Sequence, residues 1–219
     1  MLWMLHLCTG MPNWRHSAEK GGEGLMNCIL CGVGGQGTVL ASKLIAQSAM
    51  QKGKFARTAE TIGMAQRGGS VVSHVRTGDQ VPSPLIPEHE ADVLIGFEPA
   101  EAVRTLRYLK KDGTVVVNTR GIQPVTASLT GKGYPEQEML DYLCAQVSRI
   151  ILVDGEKICN QCGSAKVLNV ALLGAAAQAG VLDVTLAEME QAIRERVNAR
   201  FIDMNLNALR LGADAAKGK

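Results

Sequence analysis

At 219 residues, with 46% hydrophobic and 20% charged side chains, the chain suits one large domain and could stretch to two small ones. A formal net charge of +2 leaves no electrostatic footprint for nucleic acid, and no apolar run approaches the roughly 20 residues that a membrane span needs. Aromatic residues make up only 4% against 24 glycines, the mix of an α/β protein whose helices pack close to a sheet. The first 25 residues stand apart. They hold both tryptophans, Trp3 and Trp14, show no periodicity, and run into a Gly-rich stretch. They lack the cationic start and the small-residue cleavage site of a signal peptide. A disordered extension is expected there, with a single folded domain running from Met26 to Lys219. Cysteines at 8, 28, 31, 144, 159 and 162 follow no secreted spacing, so a reducing cytoplasm is the expected compartment.

From Met26 onward the elements follow in order. Asn27 to Cys31 is a short apolar run ending at Gly32, the signature of a buried strand. "GVGGQGTVLASKLIAQSAMQKG" reads as a glycine turn and then a helix stopped by Gly53. Strands are expected at Phe55–Thr58, Ser70–Arg76, Ala91–Phe97, Gly113–Thr119 and Arg149–Val153. Pro99 is placed to start a helix, and Pro135 to Val147 makes another. "CNQC" (159–162) is read as part of a strand-to-helix loop. From Ser164 the pattern is helical. "KVLNVALLGAAAQAG" is apolar enough to lie buried against the sheet, and Thr185 with Glu188 has capping-box spacing. A last helix spans Ala199 to Ala216. Strands alternating with helices predict a three-layer α/β/α fold, Rossmann-like, with a mostly parallel sheet and a glycine-rich first βα turn.

Gly32, Gly34 and Gly37 fit G-x-G-x-x-G between that first strand and helix, with Gly35 and Gln36 inside the turn. Such a turn lets backbone approach a phosphate at a helix N-terminus, or lets strand and helix pack closely. The residues alone leave both readings open. A free-standing NAD(P)-binding oxidoreductase is one functional alternative. Against it, the second strand carries Arg57 where a dinucleotide site wants an acid, and Glu60 comes late.

The pairs Cys28/Cys31 and Cys159/Cys162 raise a thiol-based metal or redox module as a further alternative. Residues three apart in a strand point to opposite faces, which separates Cys28 from Cys31. Glu98, at the end of the apolar strand "DVLIGF", serves either a ligand crevice or a helix N-terminus. "ETIGMAQRGGSVVSHVR" (60–76) joins a glycine-rich loop to a strand. The loop carries Met64, Gln66, Arg67, Gly68 and Gly69. Alternation puts Val71, Ser73 and Val75 on one face of the strand and Val72, His74 and Arg76 on the other, an anion-friendly set.

Four segments in one order, "GVGGQGTVLASKLIAQSA", "TIGMAQRGGSVVSHVR", "ADVLIGFEPAEAVRTLRYL" and "KVLNVALLGAAA", resemble the γ-type subunit of 2-oxoacid:ferredoxin oxidoreductases over residues 27–176. The "GMAQRGGSVVSHVR" wording is most similar to the β subunit of indolepyruvate:ferredoxin oxidoreductases. That resemblance implies oxidative decarboxylation of an aryl pyruvate to acyl-coenzyme A with reduction of ferredoxin. It implies that thiamine diphosphate, Mg and [4Fe–4S] clusters belong to a partner subunit, that coenzyme A is the co-substrate, and that this chain is inactive alone in a cytoplasmic hetero-oligomer. No catalytic residue is assigned to this chain. Gly32, Gly34–Gly37, Met64, Gln66–Gly69, His74, Arg76 and Glu98 are the contact candidates. "CNQC" and the N-terminal extension depart from the family pattern.

Overall fold

The structure is a computed structural model that describes residues 24–60, 69–122 and 134–217. Residues 1–23 of the N-terminal extension and Met64, Gln66, Arg67 and Gly68 lie outside the described residues. Six strands form one sheet: β1 (Met26–Val33), β2 (Phe55–Glu60), β3 (Ser70–Gly78), β4 (Ala91–Gly96), β5 (Leu109–Asn118) and β6 (Arg149–Val153). Their spatial order is β2-β3-β1-β4-β5-β6. β1, β4, β5 and β6 are mutually parallel, while β3 runs antiparallel to both of its neighbours, β1 and β2. The sheet is therefore mostly parallel, with one reversed strand inserted beside β1.

Alternation along the strands feeds two cores. Cys28, Leu30, Val75, Ile95 and Val116 face one layer, and Ile29, Cys31, Leu94, Val115 and Val117 face the other. Cys28 and Cys31 do end up on opposite faces. Burial raises both thiols, Cys31 to about 12, leaving them as inert packing groups. The larger layer holds α1 (Thr38–Gln51), α4 (Gly155–Cys162), α5 (Leu168–Gln178), α6 (Leu186–Arg196) and α7 (Ile202–Ala216). The other holds α2 (Pro99–Thr105) and α3 (Glu136–Gln146), with Tyr108 and Ile86 beside them. This is the three-layer α/β/α arrangement.

Local signals explain the elements. Pro99 sits in the first turn of α2, and Glu98 caps that helix by accepting from the Glu101 N–H. Thr185 and Glu188 form the expected capping box at α6, each accepting from the other's backbone N–H at 3.3 and 2.7 Å. Asn169 to Ala177 of α5 are all buried. Two expectations need correction. β5 starts at Leu109, four residues early, because a register shift between Ala91 and Val93 absorbs the polar Lys110–Gly113 stretch. "CNQC" lies in helix α4 and not in a loop. Asp154 caps that helix through the Lys157 N–H at 3.0 Å, and Gly163 ends it at φ +73°.

Candidate functional site

Chain order reverses at β1: the next strand in sequence, β2, goes to one side of it and β4 to the other, so the carboxyl ends of β1 and β4 meet at a topological switch point. Gly34–Gly37 follow β1 there, Phe97 and Glu98 follow β4, Asn118 ends β5 and Asp154 follows β6. β3, being reversed, starts at this same edge with Gly69 and Ser70.

Carboxamides stitch the edge together. The Val33 N–H donates to Gln36 Oε1 at 2.7 Å, and Gln36 Nε2 donates to the Phe97 carbonyl at 3.1 Å. Asn118 Nδ2 donates to the same carbonyl at 3.2 Å, while its Oδ1 accepts from the Gly155 N–H at 3.1 Å. Asn169 Nδ2 reaches the Gly37 carbonyl at 3.2 Å. Gly37 adopts φ +83°, and a Cβ there would stand 2.5 Å from that amide nitrogen, so any other residue would be strained and would push the Asn169 side chain aside. The glycines thus permit close packing, and the Gln36 side chain fills the gap between turn and β4.

That filling bears on the dinucleotide alternative. A dinucleotide fold places its second strand directly beside the first, with an acid at its tip. Here β3 separates β2 from β1, and Glu60 at the tip of β2 accepts from Ser42 Oγ at 2.8 Å. Geometry and hydrogen bonding both argue against that ligand.

Two buried carboxylates sit beside the turn. Glu98, 1% exposed, accepts from the Glu101 N–H at 2.9 Å and from the Tyr134 hydroxyl. Burial raises its pKa above the ordinary carboxyl value, partly offset by the Glu101 N–H. Glu101, 4% exposed, accepts from Ser70 Oγ and from Arg104, each at 2.5 Å. The Gly34 N–H donates to the Gly69 carbonyl at 2.8 Å. Beyond β6 an open groove of about 520 Å³ is lined by Asp154, Glu156, Lys157, Asn160 and Gln161.

The structure brings together Gly32, Gly34, Gly35, Gln36, Gly37, Gly69 and Glu98. It places His74 and Arg76 away from them, opposite Ile29 and Asn27 of β1. They share a face as alternation predicts, but that face is closed by the 79–90 segment. Arg76 donates to Asn27 Oδ1 at 2.9 Å and to the Ser83 and Leu85 carbonyls at 3.0 Å. His74 Nδ1 accepts from the Ile86 N–H at 3.2 Å, with the ring edge-on to Tyr108. Cys159 and Cys162 contact the Ala165 carbonyl and Asn207, and burial raises both thiols. Among the described residues no three His, Cys, Asp or Glu side chains are grouped to hold a metal ion. Sequence reading missed Asn118, Asn169, Ser70, Glu101 and Tyr134. Asn169 carried a signal, as a polar residue within an otherwise apolar helical run.

The profile of the pyruvate ferredoxin/flavodoxin oxidoreductase family matches residues 27–215. The chain belongs to that family. Among its relatives is the indolepyruvate oxidoreductase subunit IorB of Archaeoglobus fulgidus, 42% identical over 87% of this chain and 95% of that one. The subunit of the same name from Pyrococcus horikoshii is 37% identical over 87% of this chain and 96% of its own length. The keto/oxoacid ferredoxin oxidoreductase gamma subunit of Geobacter sulfurreducens has a similar structure. It gives a TM-score of 0.64 at 25% identity, covering 87% of this chain and 98% of that one. Fold alone links it to the 2-oxoglutarate:ferredoxin oxidoreductase of Magnetococcus marinus, with a TM-score of 0.68 at 17% identity, over 90% of this chain and 32% of that one. For this oxidoreductase family member the carboxyl edge of the sheet, with its glycine turn and buried acids, is the candidate site.

Proposed function

We propose that this chain is the subunit without thiamine diphosphate of a cytoplasmic 2-oxoacid:ferredoxin oxidoreductase acting on indolepyruvate and other aryl pyruvates. The single observation that supports this most is the match along nearly the whole length of subunits named for indolepyruvate, at up to 42% identity. The reaction cleaves the bond between the carboxylate and the keto carbon and releases carbon dioxide. The acyl group passes to the thiol of coenzyme A, and a pair of electrons passes singly to ferredoxin. Thiamine diphosphate with Mg and the [4Fe–4S] clusters, held by the partner subunit in this reading, supply the carbanion and electron-transfer chemistry.

This chain's contribution is orientation. Its folded domain runs from Met26, and it presents the edge built from the glycine turn, Gly69 and Glu98. In the same reading, the loop carrying Met64, Gln66, Arg67 and Gly68 places the Arg67 cation toward the phosphates of coenzyme A or toward the partner's active site. Indolepyruvate with coenzyme A is expected to reduce a viologen dye only when both chains are present. Arg67→Ala is expected to raise the apparent KM for coenzyme A or lower turnover. Activity from this chain alone, or a preference for pyruvate over indolepyruvate in the assembled enzyme, rejects the reading. Unchanged kinetics of Arg67→Ala in an intact complex reject the role of that arginine.

A further inference from the structure

Two points of the chain at the carboxyl edge, the Gly69–Ser70 start of β3 and Tyr134 ahead of α3, are tied to the same short helix. Ser70 Oγ donates to Glu101 Oε2 at 2.5 Å, and the Tyr134 hydroxyl donates to Glu98 Oε1. The two acids are joined in turn, because Glu98 Oε2 accepts from the Glu101 N–H at 2.9 Å. Ser70 lies at the exposed start of β3, yet its acceptor is a carboxylate in the interior. Capping α2 requires Glu98 alone. It does not require a second buried acid three residues on, with one oxygen on Ser70 and the other on Arg104. Burying a charge is costly unless its hydrogen bonds are placed, so the arrangement holds its partners to a narrow geometry.

We propose that Glu98 and Glu101 are positioning residues which set the Gly69–Ser70 stem and Tyr134 in one fixed geometry, so that this edge meets coenzyme A preformed. The inference rests on the function proposed above. The stem is held twice, through Ser70 to α2 and through the Gly69 carbonyl to the Gly34 N–H, which makes the glycine turn, β3 and α2 one unit. Neither acid needs to touch substrate; each acts through a hydroxyl at the edge.

Ser70→Ala, Tyr134→Phe and their combination in the assembled two-chain enzyme test this. Each single change is expected to raise the apparent KM for coenzyme A about three- to tenfold, the scale of one lost hydrogen bond, with kcat and the KM for the 2-oxoacid unchanged. The double variant is expected to rise no further than the larger single, since both act through one bracket. Ser70→Thr, which keeps the hydroxyl, is expected to restore the wild-type value. The proposal is overturned by unchanged KM in both singles, by additive effects, by no rescue in Ser70→Thr, or by a fall in kcat that tracks complex yield or melting temperature. Absence of coenzyme A-dependent turnover in the wild-type complex overturns the parent reading instead.

Discussion

His74 shows how a residue that looks chemical in the sequence serves the fold. Its neutral ring accepts from the Ile86 N–H, and burial pushes its pKa below the ordinary value of 6.5. Protonation therefore favours the unfolded chain. The contribution to stability is full above the ordinary histidine value and is lost as pH falls through the folded one. Lowering the pH from about 7 to about 5 is expected to reduce the melting temperature more in the wild type than in His74→Gln, which cannot titrate. Glu98 works in the opposite direction, since its raised pKa favours the folded state as it protonates. The wild-type-minus-variant difference isolates the histidine, and equal pH profiles would show that its ring is not held neutral. Arg76 is the parallel case. The alternation of β3 was legible, but the loop that returns over its outer face was not, because carbonyls of Ser83 and Leu85 carry no sequence mark.

At the scale of elements, α5 and α7 pack more closely than side chains allow. A Cβ on Gly174 would collide with the Leu209 carbonyl, and one on Gly212 with that of Ala171, so each helix lays a glycine on the other's backbone. Alanine normally favours a helix by about 1 kcal/mol over glycine. Overpacking at this crossing costs about 1–3 kcal/mol or more, and it has a rigid backbone to displace. Gly212→Ala is therefore expected to lower the urea midpoint; a higher midpoint would mean that the helices can part at no cost. Most elements were legible from periodicity and breakers, including Pro99, Gly53 and the Thr185 capping box. Helix α4 was not legible from periodicity, because Ile158 is the one large side chain that its eight residues bury; only Asp154 and Gly163 mark its ends. The reversal of β3 was also implicit. The stretch between Glu60 and Ser70 has no room for a crossover helix, and strands so joined pair antiparallel.

For the molecule as a whole, β5 is the shared wall, with Val116 facing one core and its neighbour Val117 the other. Leu172 and Leu143, both fully buried, sample the two layers. Replacing either by alanine is expected to cost about 2–5 kcal/mol and to leave a single unfolding transition in the isolated chain, followed by circular dichroism and calorimetry. Two separated transitions would show that the layers melt independently. The switch point itself could be anticipated from strand and helix order. Its filling by Gln36, Asn118 and Asn169 could not, since those contacts join residues up to 132 positions apart. The reversed strand has one more consequence. In an all-parallel sheet, the connection leading into a strand lies on the side remote from the ligand. Reversing β3 makes its first residue, Ser70, start at the carboxyl edge, where β2 ends at Glu60 and the two strands pair from Phe55↔Gly78 to Glu60↔Ser73. The join between two strands paired in this way is a cassette: its length and wording can drift during evolution without reworking any helix, at little cost to folding.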